Sequence, residues 1–243
     1  MGKVTSIAGS SGAGKSSSFE NMNWKKTFII RANRKPLPFR NKLKEWDSKE
    51  KTGNFIYSTD YEYINKVIKV LPKYGFTSII VDDSTHLLLD EVMRTARETG
   101  FDKFMRMAEN YYNLFKTAEG LPDDVRVYVI NHIDTDDNGN EIIKIVGGKF
   151  ITEKIDIPSM LTIAIKAVNH KSEYKFETQG VGRDFYKSPR GMFEDKIIDN
   201  DLRIVDDAIK DYYYIEDDNI DASAGEMVEI LLAEKAKREA EED

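Results

Sequence analysis

The sequence predicts an α/β fold, a mostly parallel sheet flanked by helices, on three observations. Gly9-Ser10-Ser11-Gly12-Ala13-Gly14-Lys15-Ser16 is a complete G-x-x-x-x-G-K-[ST] phosphate loop. It lies between a β-branched segment, Lys3 to Ala8, and Ser17-Ser18-Phe19-Glu20, which can open a helix, and a strand–loop–helix context is what the motif requires. Further along, Phe76-Thr77-Ser78-Ile79-Ile80-Val81-Asp82-Asp83 is an apolar run ending in two carboxylates, the pattern of a strand covered on both faces. Around these, short β-branched runs alternate with segments of helical period.

Taken in order, Thr27 to Arg31 reads as the second strand, followed by a loop through Lys35-Pro36-Leu37-Pro38. Asn54 to Tyr57 is short and extended. Ser58-Thr59-Asp60 can cap a helix over 61–71, whose apolar positions Ile64, Val67, Ile68 and Leu71 recur at helical spacing. Beyond the Asp82 strand, helical segments are expected over about 85–98 and 101–118, broken at Gly100. Val125 to Asn131 is the next core strand, and Asp136 to Asn140 forms a turn between Ile133 and Ile142 with Asn138-Gly139 at a hairpin tip. Met160 to Val168 and Glu173 to Thr178 read as late strands, followed by Asp206 to Tyr214. A charged helix from about Ala224 to Glu241 closes the chain, docking through Met227, Ile230 and Leu231. The expected division is an ATPase domain over 1–215 and an acidic helical tail over 216–243.

At 243 residues and 27.9 kDa the chain accommodates one α/β core with insertions. The absence of cysteine excludes disulfides and thiolate metal sites. No apolar run is long enough to cross a bilayer. The first strand begins too early for a signal peptide, so a cytoplasmic protein is expected. A net charge of −7 argues against a general basic coat for nucleic acid. Residues 24–51 nevertheless hold ten Lys and Arg with Trp24, Phe28, Phe39 and Trp46 interleaved, a combination that supplies charge and base-stacking surface.

The phosphate loop carries the chemistry. Glycines let the backbone of Gly9 to Gly14 curl so that N–H groups face a β-phosphate, and a helix opening at Ser17 adds its positive end. Lys15 would neutralise the β/γ oxygens, and the Ser16 hydroxyl would complete a Mg²⁺ shell. Ligands collect at the carboxyl ends of strands in a doubly wound sheet. Asp82 is therefore expected beside Ser16, binding Mg²⁺ directly or through water. Asp83 either orients or activates the attacking water or caps the helix that Ser84 and Thr85 begin. Asn131-His132 ends the fourth core strand, where a polar residue faces the γ-phosphate and reports hydrolysis to nearby loops. His86 and His170 have no partners at metal-ligand spacing and read as surface or helix-packing residues. The cofactors expected are ATP and Mg²⁺.

The order and spacing of these parts resemble the RecA-like branch of phosphate-loop ATPases, in which a strand ending in Asn-Gln precedes a DNA-contacting loop; here the pair is Asn131-His132. Further segments resemble the single-domain RecA-like ATPases of bacteriophages that include the Sak-type single-strand annealing proteins. These are Arg34-Lys35-Pro36-Leu37-Pro38, Gly148-Lys149-Phe150-Ile151 leading into Met160-Leu161-Thr162-Ile163, and Lys187-Ser188-Pro189-Arg190-Gly191-Met192-Phe193. Asp199-Asn200-Asp201-Leu202 fits as well, and the likeness runs over about 3–205. The resemblance implies a RecA-like core and a Mg²⁺-dependent ATPase of the phage-infected host cytoplasm. It also implies annealing or strand exchange on single-stranded DNA by a ring or filament, with a single-strand-binding protein as a further partner. A Lys or Arg completing the neighbouring subunit's site is implied too, with Lys149, Lys187 and Arg190 the candidates. The hairpin over 133–146 is short for a DNA-binding loop pair, and the phosphate loop comes too early for a preceding oligomerisation domain. The alternative is a phage ATPase serving another machine, a helicase loader or assembly factor, without direct DNA binding. A metabolic kinase fits less, since no lid with clustered arginines is visible.

Overall fold

Residues that alternate in the sequence divide between two faces in space. In β2 (Thr27–Arg31), β4 (Ser78–Asp82) and β5 (Arg126–Thr135), Phe28, Ile30, Ile79, Val81, Val127 and Val129 enter one apolar cluster. Ile29, Ile80, Tyr128 and Ile130 enter the other. Strands buried on both faces can be apolar throughout, which is why these runs form a parallel sheet. The structure, a computed structural model, describes residues 1–41, 43–147, 151 and 155–216. Lys42, Lys149 with its neighbours, and the expected tail helix lie outside the described residues.

With β1 (Lys3–Gly9), β3 (Phe55–Tyr57) and β7 (Ile163–His170), the parallel order is β3-β2-β4-β5-β1-β7. β8 (Glu173–Glu177) and β9 (Ile197–Asp199) extend the β7 edge in antiparallel pairing. β6 (Glu141–Ile143) pairs only with the far end of β5. The fold is thus α/β with a mostly parallel sheet, as expected from the sequence.

Helices α1 (Tyr61–Val70), α2 (Ser84–Arg94) and α3 (Asp102–Glu119) cover the first face through Ile64, Ile68, Leu88, Tyr111 and Phe115. The Asp60 carboxylate accepts from the Tyr63 N–H at 2.9 Å, capping α1 as its sequence predicts. The single turn α4 (Ile157–Met160) takes in Met160, so the following strand starts later than expected, at Ile163. On the second face α5 (Leu202–Tyr213) starts earlier than expected and packs through Leu202, Val205 and Ile209. The hairpin forms where expected, with Ile133 opposite Ile143 and Asp134 opposite Ile142.

One expectation fails in an informative way. Residues 15–22 form successive turns, not a helix. The Ser18 N–H bonds the Gly14 carbonyl at 3.0 Å, as in a helix, but Glu20 and Met22 reach back only to Ser17 and Phe19. The carbonyls that a helix would use are taken: Lys15's by the Ser18 hydroxyl at 2.6 Å, and Ser18's by the Leu202 N–H at 2.7 Å. Side-chain competition for backbone groups is the usual way serine interrupts a helix. The start of α5 is thereby tied to the segment that follows the loop.

α5 is fixed one turn further along by a buried ion pair. Arg126 Nε and one terminal nitrogen donate to the two Asp206 oxygens at 3.0 and 3.1 Å. The Tyr128 hydroxyl and Ser78 Oγ both donate to Asp206 Oδ1, at 2.6 and 3.1 Å. Burial alone would raise the Asp206 pKa, but the Arg126 hydrogen bonds and charge, Tyr128 and Lys210 outweigh it and hold it below the ordinary value of 3.8. A carboxylate with a depressed folded pKa contributes stability above its unfolded pKa and loses it as pH falls through the folded value. Asp206→Asn should therefore lower the unfolding free energy at neutral pH by about 3 kcal/mol, the scale for breaking a buried pair. Its deficit relative to the parent should shrink below about pH 4, as urea denaturation at a series of pH values would show.

Candidate functional site

The carboxyl ends of β1, β2, β4 and β5 open into a cleft of about 360 Å³. Ser11, Gly12, Gly14, Lys15, Ser16 and Ser17 line one side, and Asp82, Asp83 and His132 line the other. Gly12 and Gly14 have φ of 79° and 84°, so the loop takes left-handed turns that glycine adopts without strain. A Cβ on Gly14 would come within 2.8 Å of the Tyr174 ring and 3.0 Å of Asn200 Oδ1, so glycine is required there twice over.

Lys15 is 8% exposed, and its ammonium donates to the carbonyls of Gly9 and Ser10 at 2.8 and 2.7 Å. Burial lowers its pKa to about 8, against the opposing charges of Asp83 and Asp82. Ser16 Oγ donates to Asp82 Oδ1 at 3.1 Å, which joins the last residue of the motif to the strand-end acid. Asp82 is 5% exposed, and burial raises its pKa to about 6 even though the Ser16 hydrogen bond and Arg31 pull it down. An incompletely compensated carboxylate beside a hydroxyl is a hard-oxygen donor pair that suits Mg²⁺. The residues present therefore fit a nucleotide with its metal.

Asp83 occupies the left-handed region at φ 64°, ψ 52°, and its side chain makes no capping bond to α2. Of its two sequence readings, the cap is therefore excluded. The unusual backbone turns the carboxylate into the cleft instead, a placement typical of strained functional residues. Its oxygens face Asn33 Nδ2 at 2.7 Å, His86 Nε2 at 3.4 Å and His132 Nε2 at 3.5 Å. His86 is thus a neighbour of the site, not the surface or packing residue that its spacing suggested. His170 is exposed near Glu177, as expected.

The Asn131-His132 pair separates. Asn131 is 0% exposed and does not line the cleft. Its oxygen accepts from Ser84 Oγ at 2.5 Å and the Tyr111 hydroxyl at 2.9 Å, while its nitrogen donates to Ser6 Oγ at 2.9 Å and the Val129 carbonyl at 3.0 Å. Adjacent strand residues point to opposite faces, so only one of the two can face the cleft, and it is His132. The expectation that Asn131 faces the γ-phosphate is corrected accordingly. His132 Nδ1 lies 3.5 Å from the Lys15 ammonium. Burial, then the Lys15 charge, lowers the imidazole pKa against the pull of Asp83. A neutral ring turns its Nδ1 lone pair toward Lys15 and its Nε2–H toward Asp83 Oδ1, without closing a hydrogen bond to that oxygen.

Sequence reasoning missed Arg31, Asn33 and Tyr174. Arg31 ends an otherwise apolar strand, which was the available signal. It is buried, lines the cleft, and its Nε lies 3.9 Å from Asp82 Oδ2. Its terminal nitrogens donate to the Tyr57 hydroxyl at 2.8 Å and to the Lys35 carbonyl. Asn33 had no signal beyond its place after that strand, and Tyr174 lies on a strand whose neighbours only the topology reveals. Lys187 and Arg190 are exposed and stand outside the cleft of their own chain. The aromatic set of 24–51 also divides: Phe28 is core, at 1% exposure, and is not available for base stacking. Among the described residues, no cluster of His, Cys, Asp and Glu has metal-binding geometry by itself, and no helix is long and apolar enough to cross a membrane.

No protein-family model and no curated protein matches the chain. Among solved structures, it is similar to the P4 protein from bacteriophage phi6 in complex with ADP, with 18% identity and a TM-score of 0.36. The match covers 74% of this chain and 58% of that one, so this chain spans less than two thirds of its length.

Two substitutions separate the polar pair. Asn131→Ala strands Ser84, Tyr111 and Ser6 in the interior and should cost about 2 kcal/mol of stability with little change in nucleotide affinity. His132→Ala should leave the melting temperature near the parent and slow turnover instead. Calorimetric melting and single-turnover hydrolysis measured on both variants check the assignment.

Proposed function

We propose that this chain is a Mg²⁺-dependent ATPase that acts on single-stranded DNA in phage recombination, by annealing or strand exchange, as an oligomer. The observation that carries the nucleotide part is the Ser16–Asp82 hydrogen bond of 3.1 Å, which brings the end of the phosphate loop onto a strand-end acid from a non-adjacent strand. The recombination part is supported by the sequence resemblance, with its Lys187 to Phe193 element.

The turned backbone of Gly12 to Gly14 directs N–H groups at the β-phosphate. Lys15 exchanges its hold on the Gly9 and Ser10 carbonyls for phosphate oxygens. Ser16 and Asp82 would hold Mg²⁺, which when bound would supply positive charge against the terminal phosphates. Asp83 accepts a proton from the water that it orients, with His132 Nε2 and Asn33 fixing the carboxylate. Because His132 Nδ1 meets Lys15, a phosphate that claims Lys15 also frees His132. Lys144 N–H donates to the His132 carbonyl at 2.8 Å, so this change is felt at the root of the β5–β6 hairpin.

A second reading, an ATPase serving another machine without binding DNA, is favoured by that hairpin's brevity: three residues of β6 face β5. Stimulation of hydrolysis by oligonucleotide supports the first reading, and its complete absence supports the second.

Lys15→Ala should abolish turnover and greatly weaken triphosphate binding without unfolding the chain, and hydrolysis at the parental rate would sink the site assignment. Asp82→Asn should lose Mg²⁺-dependent activity, because an amide is a poor partner for a hard cation; a magnesium titration of steady-state rate checks it.

Assembly has its own test. Lys187 or Arg190 reaching a neighbour's phosphates would make the specific rate rise with protein concentration. Mixing an Arg190→Ala or Lys187→Ala chain with a Lys15→Ala chain should restore part of the activity, since one interface regains both halves. A lost transition-state contact costs about 3 kcal/mol, so the single-variant defect should be measurable. A concentration-independent rate with no rescue would indicate a self-sufficient monomer.

A further inference from the structure

The basic residues between 24 and 51 do not all collect at the nucleotide cleft. Lys25, Lys44 and Lys51 line a separate open groove of about 420 Å³, with Trp24, Trp46 and Tyr74 among its walls. The three lysines are exposed, and among the described residues no acidic one lines the groove. Trp24 and Lys25 precede β2, Asn54 precedes β3 and Phe76 precedes β4, and these strands run parallel. The groove therefore lies at the amino ends of the strands, opposite the cleft.

Its walls are built before any ligand arrives. The Asn54 N–H donates to the Lys44 carbonyl at 2.9 Å, Lys44 N–H returns a bond to Asn54 Oδ1 at 3.1 Å, and Trp46 N–H reaches Phe55 at 2.8 Å. Gly53, at φ 108°, passes so close to Glu45 that a Cβ would sit 2.5 Å from its carbonyl oxygen. The Trp46 ring is held edge-on by Phe28, Tyr74 and Phe76, at centroid distances of 5.9, 5.2 and 6.0 Å. Trp24 is stacked on Phe39 at 6.2 Å. Half-buried, pre-oriented indoles cost little entropy when a flat ligand lands on them. In a chain of net charge −7, lysines that line a groove free of acids complement a polyanion.

We propose that this groove binds single-stranded nucleic acid, its lysines meeting successive phosphates and its indoles stacking bases, the combination by which single strands are held without sequence preference. This rests on the DNA-binding reading above and gives it a site on the far side of the sheet from ATP.

Both tryptophans of the chain line the groove, so intrinsic fluorescence reports its occupancy. Oligothymidylate added to the full chain at low salt should quench the emission, and Trp24→Phe and Trp46→Phe should each remove part of the signal. In Lys25→Ala/Lys44→Ala/Lys51→Ala the log–log salt slope of binding should fall by about 2, about 0.7 per lost phosphate contact. Thermal melting and basal ATP hydrolysis should stay parental in that variant. A parallel titration with oligouridylate decides whether DNA or RNA is preferred. Binding without quenching, or a parental slope in the triple variant, would overturn the groove and leave the DNA-binding reading standing at another site. Equal quenching by polyglutamate would overturn the nucleic-acid assignment. If the parent binds neither oligonucleotide at low salt, the groove and the DNA-binding reading fall together.

Discussion

The hydrogen bond from Ser16 to Asp82 is possible only because of the strand order. β5 lies between β1 and β4, so the hydroxyl and the acid approach across the end of an intervening strand. The register sets the remaining partners: Gly9 stands opposite His132, and Arg31 stands opposite Asp82. A slip of one residue would send these side chains to the other face of the sheet. The site is thus a consequence of strand pairing, and the apolar alternation that fixes the pairing also positions the chemistry.

The two ends of the sheet treat buried charge differently. At the amino ends, Arg126 and Asp206 are joined by two hydrogen bonds and surrounded by Ser78 and Tyr128. This network closes on itself and fastens α5. At the carboxyl ends, Asp83 Oδ1 and Arg31 Nε are buried without a hydrogen-bond partner, and Asp82 is held near the edge of ionisation at a pKa of about 6. Buried polar groups are nearly always paired; the hydroxyls of Thr27 and Thr77 at the amino ends are unpaired as well, but an unpaired charged group costs far more than a hydroxyl, so the exceptions at the carboxyl ends mark a place where the protein keeps bonding capacity for something else. The contrast separates a structural polar network from a functional one within a single sheet.

Local sequence revealed the phosphate loop, the Asp82 strand and the capped α1, because each is written in contiguous residues. What it could not reveal depends on partners distant in the chain. The turns after Lys15 follow from Leu202 taking the Ser18 carbonyl, which no local propensity encodes. The inward direction of His132 and the burial of Asn131 follow from Ser84, Tyr111 and Ser6, which come from three other elements. The left-handed turn at Asp83 is likewise invisible, since aspartate after a strand reads equally well as a helix cap. Composition identified residues 24–51 as basic and aromatic, but tertiary packing decides that Phe28 enters the core while Trp24 and Trp46 reach a groove.

Cleft and groove are joined by β2. All of its residues are buried, it is hydrogen-bonded on both sides, and it leads from Lys25 at the groove to Arg31 at the cleft. At about 3.3 Å per residue, roughly 17 Å of rigid backbone separates the two. Beyond Arg31 the chain is less constrained. Asn33 is tied to Asp83, the Lys35 carbonyl is tied to Arg31, and Arg34 and Arg31 both lie against the Tyr57 ring, at 4.8 and 5.1 Å. A change in the charge carried by Asp82 and Asp83 therefore acts first on this loop, which has few backbone bonds to resist it. A strand fixed along its length transmits displacement only as a rigid body. Coupling between the sites thus requires the β2–β3 edge to shift as a unit, with the loop over 33–38 as the part that yields.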